Sequence, residues 1–290
     1  VIETAERAPE EPVAASVRRL DLARAASRSL QIQALLTPER MQGPGFAFCL
    51  VPALRRLYPS REALAEAVGR HMGYFATHPV LSGIAIGAAA RLEERRAGGG
   101  AVSATAIEAT KRALMGPLAA LGDSFYWLTL RPFSGLVGVL GLSALSIAGF
   151  PGPDWRVVAC PLLTLLTYNA VALPMRIRGV ARGYEAAREP AALLRTLHLA
   201  EWNAAFGAAG AFGYGVVLML VLKSLDLGSG SWGADASARA ASVIPLLSGA
   251  AIGAVGARRW PGRGVEVALF AIAAAFALSF LVGGPEGVAS

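Results

Sequence analysis

The chain has 290 residues, a mean hydropathy of +0.50, 54% hydrophobic residues and only 16% charged ones. A typical soluble domain carries roughly 25% charged residues, so this composition points to a membrane protein. Two cysteines, Cys49 and Cys160, both in apolar runs, suggest no disulfide framework and read as small buried hydrophobes.

Residues 1–12 hold four Glu, two Pro and one Arg and are expected to be disordered, with no signal peptide and Val1 an alternative start or a truncation. From Val13 to Leu36 an apolar stripe of Val13, Val17, Leu20, Leu30 and Ala34 runs opposite Arg18, Arg19, Arg24 and Arg28. That pattern predicts a basic amphipathic helix, on a membrane surface, on a partner or simply solvated. Met41–Leu54 is uncharged but interrupted by Gly43-Pro44-Gly45 and Pro52, which suits a re-entrant or interfacial hairpin. A helix is expected from about Arg61 to Phe75, broken by Thr77-His78-Pro79. Pro79–Ala90 is apolar for 12 residues and ends in charges and Gly98-Gly99-Gly100, a loop, after which Ser103 is placed to cap the next helix.

Lys111–Pro132 contains two turn signals, Gly116-Pro117 and Gly122-Asp123-Ser124, among Leu, Ala and aromatics. Its uncharged pieces, Ala113–Gly122 and Ser124–Leu130, are too short to span as separate helices. A Gly/Pro-interrupted apolar segment of this kind points to a transporter binding region. An Asp among apolar residues near a membrane is costly unless it faces protein or water.

Five uncharged runs follow: 132–153, 157–175, 202–222, 240–257 and 267–285. Each approaches or exceeds the roughly 17–25 residues that cross the hydrocarbon core. The fold expected is therefore an all-α membrane protein. It has a disordered start (1–12), an amphipathic and re-entrant helical region (13–131), about five transmembrane helices (132–285) and a short tail (286–290). Twenty-four of the 27 Lys and Arg fall on one side of a five-span alternation, and only Arg156, Lys223 and Arg239 on the other. The positive-inside rule then puts the N-terminus in the cytoplasm and the C-terminus outside. The charge of +7 reads as topology, with no nucleic-acid partner implied. Gly207, Ala211 and Gly215 supply the small-residue spacing of close helix contacts in lipid. The nearby Gly210-Ala211-Phe212-Gly213 fails as a nucleotide loop because no strand precedes it.

Four segments carry a resemblance: Pro38–Pro59, Arg70–Pro79, Leu92–Arg96 and Leu114–Pro132, continued more weakly by Tyr168-Asn169 and Gly183-Tyr184. In order and spacing they resemble the IID component of mannose-type sugar phosphotransferase systems (PTS). The resemblance implies a permease subunit in the bacterial inner membrane. It implies a IIC partner, a trimer of heterodimers, and cytoplasmic IIA and IIB proteins that phosphorylate a hexose such as mannose. No cofactor and no phosphorylation site on this chain are implied, so His71, His78 and His198 read as structural or pore-lining groups. A hexose needs fixed donors, acceptors and aromatic surface. Gln42, Thr77, His78, Asp123 and Trp127 are the groups available, and Ala76 stands where the family usually has Asn. Asp123 could equally cap a helix beginning at Ser124, Thr77 the helix after Pro79, and Trp127 could anchor at the interface, with Arg131 on headgroups. Ser124 and Ala172 are further departures from the family pattern. They leave open an alternative, a degenerate IID-like module that binds PTS partners without moving sugar.

Overall fold

A computed structural model describes residues 16–147, 154–187 and 189–224. The expected spans at 240–257 and 267–285, the start at 1–12 and the tail at 286–290 lie outside the described residues. Among the described residues every regular element is helical, as the apolar runs require. They fall into two compact units: the first takes in the chain up to Gly122 and Ala172–Leu197, the second Asp123–Val171 and the chain from His198.

The first unit begins with α1 (Arg19–Ser29). Its packed face is not the apolar stripe expected. Asp21, Ala25, Ala26 and Ser29 are buried, while Leu20 and Leu30 are 57% and 46% exposed. Small and polar residues let α1 lie close on α2, and Asp21 is satisfied there by Arg56 (Nε to Oδ2, 2.7 Å). α2 (Gly43–Leu57) is one helix and not a hairpin. Pro44 falls in its first turn, where a missing N–H costs nothing, so the glycine–proline cluster starts the helix instead of folding it back. α3 (Arg61–His71) is capped by Ser60, whose hydroxyl accepts from Ala63 N at 3.2 Å, and ends four residues before Phe75. α4 (Ser82–Ala97) stops at the predicted glycine loop. α5 (Ala104–Gly122) is capped by Ser103 as expected, with Ala106 N at 3.0 Å from Oγ.

The C-terminal half of α7 (Asp154–Glu185) packs on α4 without room for side chains. A Cβ built on Gly87 would lie 1.9 Å from the Val180 carbonyl oxygen, and one on Gly183 2.0 Å from that of Ile84. Gly83 and Gly87 meet Gly179 and Gly183, two small-xxx-small pairs crossing backbone to backbone. α8 (Pro190–Thr196) closes the unit.

The second unit holds a π-helical stretch (Asp123–Leu130), α6 (Arg131–Ile147), the first half of α7 and α9 (Leu199–Ser224). The segment expected to be broken into short pieces is thus helical throughout, with Pro117 inside α5. Pro in a membrane helix is tolerated where neighbours satisfy the freed carbonyls. A π-helical register just before Pro132 re-spaces the carbonyls its ring would strike. Ala104–Ser143 and Val158–Glu185 are long and apolar enough to cross a membrane.

Candidate functional site

In the first unit the site is built where α2 begins and the loop after α3 returns. Phe75 N donates to Arg40 O (3.2 Å) and Gln42 N to Phe75 O (2.8 Å), a short bridge made possible by Met41 at φ +50°. The Gln42 side chain extends this pairing by one step. Its Nε2 donates to Thr77 O at 2.8 Å and its Oε1 accepts from Thr77 N at 3.2 Å. A buried primary amide here completes two backbone hydrogen bonds that the loop could not make for itself. Gln42 therefore fixes the segment Phe75–His78.

Thr77 is buried, and its hydroxyl donates to Met115 O (3.3 Å) beside Pro117, so it does not cap α4. Ala76 is half-buried, its N–H directed at Met115 Sδ (3.0 Å). His78 is buried and its Nδ1 accepts from Val80 N at 3.3 Å, which leaves the proton on Nε2. Burial, helped by the nearby Arg176 charge, pulls the His78 pKa down to about 4, so the imidazole is neutral. Gly122 is seated on it: a Cβ there would come within 2.2 Å of His78 Cβ.

Behind this loop lies a buried charge knot centred on Glu93. Arg70 Nε (2.7 Å), His71 Nε2 (2.8 Å) and Tyr58 OH (2.6 Å) all converge on its carboxylate. Burial alone would raise the Glu93 pKa, but the hydrogen bonds from His71, Arg70 and Tyr58 outweigh it and bring it to about 2. Burial holds His71 below its ordinary value, so its neutral ring donates from Nε2 while Nδ1 has no hydrogen-bond partner. The knot pins the ends of α3 and α4, which flank the site loop. Its members sit in the segments Arg70–Pro79 and Leu92–Arg96, yet sequence reasoning assigned Glu93 no role. The available signal was the Glu93-Glu94 pair set among Arg91, Arg95 and Arg96 at the end of an apolar run.

The other two expected residues, Asp123 and Trp127, belong to the second unit and share one exposed face of the π-helical stretch. Asp123 opens that stretch and caps no free helix end. Trp127 is 47% exposed, with the Arg131 guanidinium 4.9 Å from its ring centre. Asn203 of α9 ties the stretch together, an assignment the sequence did not suggest. Its Nδ2 donates to Ser124 Oγ (3.2 Å) and its Oδ1 takes the Thr129 hydroxyl, whose single proton is shared with Ser124 O. Phe206, one turn further along α9, packs against Phe125, Phe133 and Trp202. π-Helical insertions are enriched at functional sites because they turn side chains out of the α-helical register.

Among the described residues the fold is all-helical, with two stretches long and apolar enough to cross a membrane, which is the architecture of a membrane-protein subunit. Residues 16–227 match the family described as the PTS system mannose/fructose/sorbose family IID component, and the chain belongs to that family. It is 41% identical over 147 residues to the mannose-specific EIID component of Escherichia coli K12, covering 50% of this chain and 48% of that protein. The sorbose-specific EIID component of Klebsiella pneumoniae is 37% identical over 164 residues, 57% of this chain and 56% of that one. The chain thus spans about half the length of the curated relatives it matches. A chain from a cryo-EM structure of the mannose transporter ManYZ with microcin E492 is similar in fold. That likeness has a TM-score of 0.53 and 28% identity, over 90% of this chain and 97% of that one. A second solved structure, of a membrane protein, gives a TM-score of 0.52 at 34% identity over 62% of this chain and 64% of that one.

Proposed function

We propose that this chain is the IID half of a mannose-type permease. It pairs with a IIC subunit, as a trimer of heterodimers, to carry a hexose that cytoplasmic IIB, charged by IIA, phosphorylates on entry. The observation that carries the reading is the likeness to a ManYZ chain along nearly its full length, joined to a loop braced by Gln42 in the segment of strongest family resemblance. In this reading Gln42 holds the loop in place. Ala76, Thr77 and His78 are the sugar-facing candidates of the loop, and Asp123 and Trp127 those of the π-helical stretch. Residues 13–131 form the signature region and 132–285 the spanning region. The N-terminus is cytoplasmic and the C-terminus external in the bacterial inner membrane.

Ala76 offers a hexose hydroxyl no hydrogen bond, so the natural chain should bind hexose weakly. Ala76→Asn should add one bond worth about 1 kcal/mol, or roughly five-fold in affinity. The test is calorimetric titration of mannose and glucose into the chain co-purified with its IIC partner, for the natural chain, Ala76→Asn, Asp123→Asn and the double change. Tight binding untouched by either substitution would show that the site lies elsewhere. Absence of binding in all four would support the non-transporting alternative.

A further inference from the structure

A basic cradle between α1 and α2 takes no part in the sugar site. A cavity of about 320 Å³ is lined by Arg24, Arg28, Arg55 and Arg56, with Asp21 the sole carboxylate and Pro52 on its wall. Two of the arginines are fixed in place. Arg56 is held by Asp21, and Arg28 donates to Phe48 O (3.0 Å) with its guanidinium 4.5 Å from the Phe48 ring centre. The other two, Arg24 and Arg55, are exposed and make no hydrogen bond or ion pair among the described residues. Four guanidinium groups against one carboxylate leave three positive charges facing one cavity. Such an arrangement repels itself until an anion enters, and the planar fork of Arg matches phosphate oxygens.

The surroundings indicate which phosphate. Leu20, Arg24 and Arg28 stand at four-residue spacing along one stripe of α1, and Leu20, Leu30, Leu35 and Leu36 are all exposed. The exposed leucines favour a phosphate that comes with acyl chains over a free phosphate. A helix that carries bare Leu20 in line with Arg24 and Arg28, with Leu30 exposed just past its end, suits the boundary between headgroups and acyl chains. We propose that the α1–α2 cradle binds the phosphate of an anionic phospholipid, with Arg28 and Arg56 as the preset half of the site and Leu20 and Leu30 entering the acyl boundary. The proposal rests on membrane residence alone and not on sugar transport.

The test uses the full chain in its detergent-purified membrane complex, titrated with dioctanoyl phosphatidylglycerol, dioctanoyl phosphatidylcholine and inorganic phosphate, with mannose binding measured on the same samples. Phosphatidylglycerol should bind at least about ten-fold more tightly than the other two, since it alone combines a net negative charge with acyl chains. Arg24→Gln/Arg55→Gln should weaken it by about ten-fold or more, and Arg24→Lys/Arg55→Lys should lie between. Arg61→Gln/Arg112→Gln, an equal charge loss at exposed sites outside the cradle, should leave it within about two-fold. Leu20→Ser/Leu30→Ser should weaken the lipid and leave inorganic phosphate unchanged. If the glutamine pair misfolds, the lysine and serine pairs carry the result. Equal loss with both arginine pairs would reduce the effect to diffuse charge and overturn the cradle. Equal affinity for inorganic phosphate, indifferent to the leucines, would assign the site to a soluble phosphate-bearing partner instead. Changes in mannose binding bear on the sugar reading and leave this one untouched.

Discussion

Glu93→Gln removes one negative charge from a site where three donors meet and keeps the shape. The carboxylate is held at about 2 against an ordinary value of 4.5, and a gap of that size corresponds to about 3 kcal/mol in favour of the charged, folded form. Removing one partner from a buried ion pair costs about 3–5 kcal/mol in general, which agrees. At about 2–4 °C per kcal/mol for a unit of this size, the variant complex should melt roughly 6–12 °C lower at pH 7. The sign of the pH dependence adds a sharper check. A carboxyl depressed on folding stabilises fully above its unfolded value and loses that contribution as pH falls from 4.5 towards 2. The natural chain should therefore lose stability steeply through that window, and Glu93→Gln should not. His71, depressed by burial, contributes a separate loss below its ordinary value of 6.5, and this part should persist in the variant. The assay is thermal melting of the detergent-purified complex between pH 7 and pH 3. A variant that melts within about 1 °C of the natural chain, with the same acid slope, would refute the role assigned to the knot.

Gly87→Val and Gly183→Val should each abolish folded yield or cost more than about 3 kcal/mol, because a Cβ at either strikes a backbone carbonyl. Gly69→Ala, inside α3 with nothing within 4 Å, should be neutral or stabilising by up to about 1 kcal/mol, read by the same melts. Asn203→Ala releases Ser124 and Thr129 together and should lower hexose affinity through Asp123 and Trp127 by about five-fold, with Asn203→Gln failing to restore it. Calorimetry on the complex decides this, and unchanged affinity would remove Asn203 from any positioning role. In a cysteine-free background, an impermeant thiol reagent on intact cells should label Gly228→Cys and spare Gly262→Cys. The opposite pattern would invert the topology drawn from the arginines.

Long uncharged runs were legible because lipid imposes length on a helix directly. The runs beginning at 132, 157 and 202 reappear inside α6, α7 and α9. The Ser103 cap and the glycine loop after α4 were equally readable, since each rests on neighbours in sequence. Proline misled at 44 and 117, where the sequence signals a break but the neighbouring structure absorbs the lost N–H. The stripe on α1 misled for a different reason. Its buried face is set by a distant partner, Arg56, which no local period can reveal. The same holds within the site. Gln42 reads as a sugar ligand because it is a polar residue in an apolar segment, and only the fold shows its amide engaged by Thr77, 35 residues away. Glu93 and Asn203 were missed because each gains its meaning from partners on other helices.

The three histidines differ in how they meet solvent, and this makes them a built-in chemical reporter. The His198 side chain is 62% exposed, whereas His71 and His78 are enclosed in the first unit. An acylating reagent such as diethyl pyrocarbonate attacks only neutral imidazoles that it can reach. In the intact protein it should modify His198 quickly and the other two at the rate at which the first unit opens. The slow phase then measures local opening of the first unit without any label being added, and a sugar that binds across the Phe75–His78 loop would register as a slowing of His78 alone.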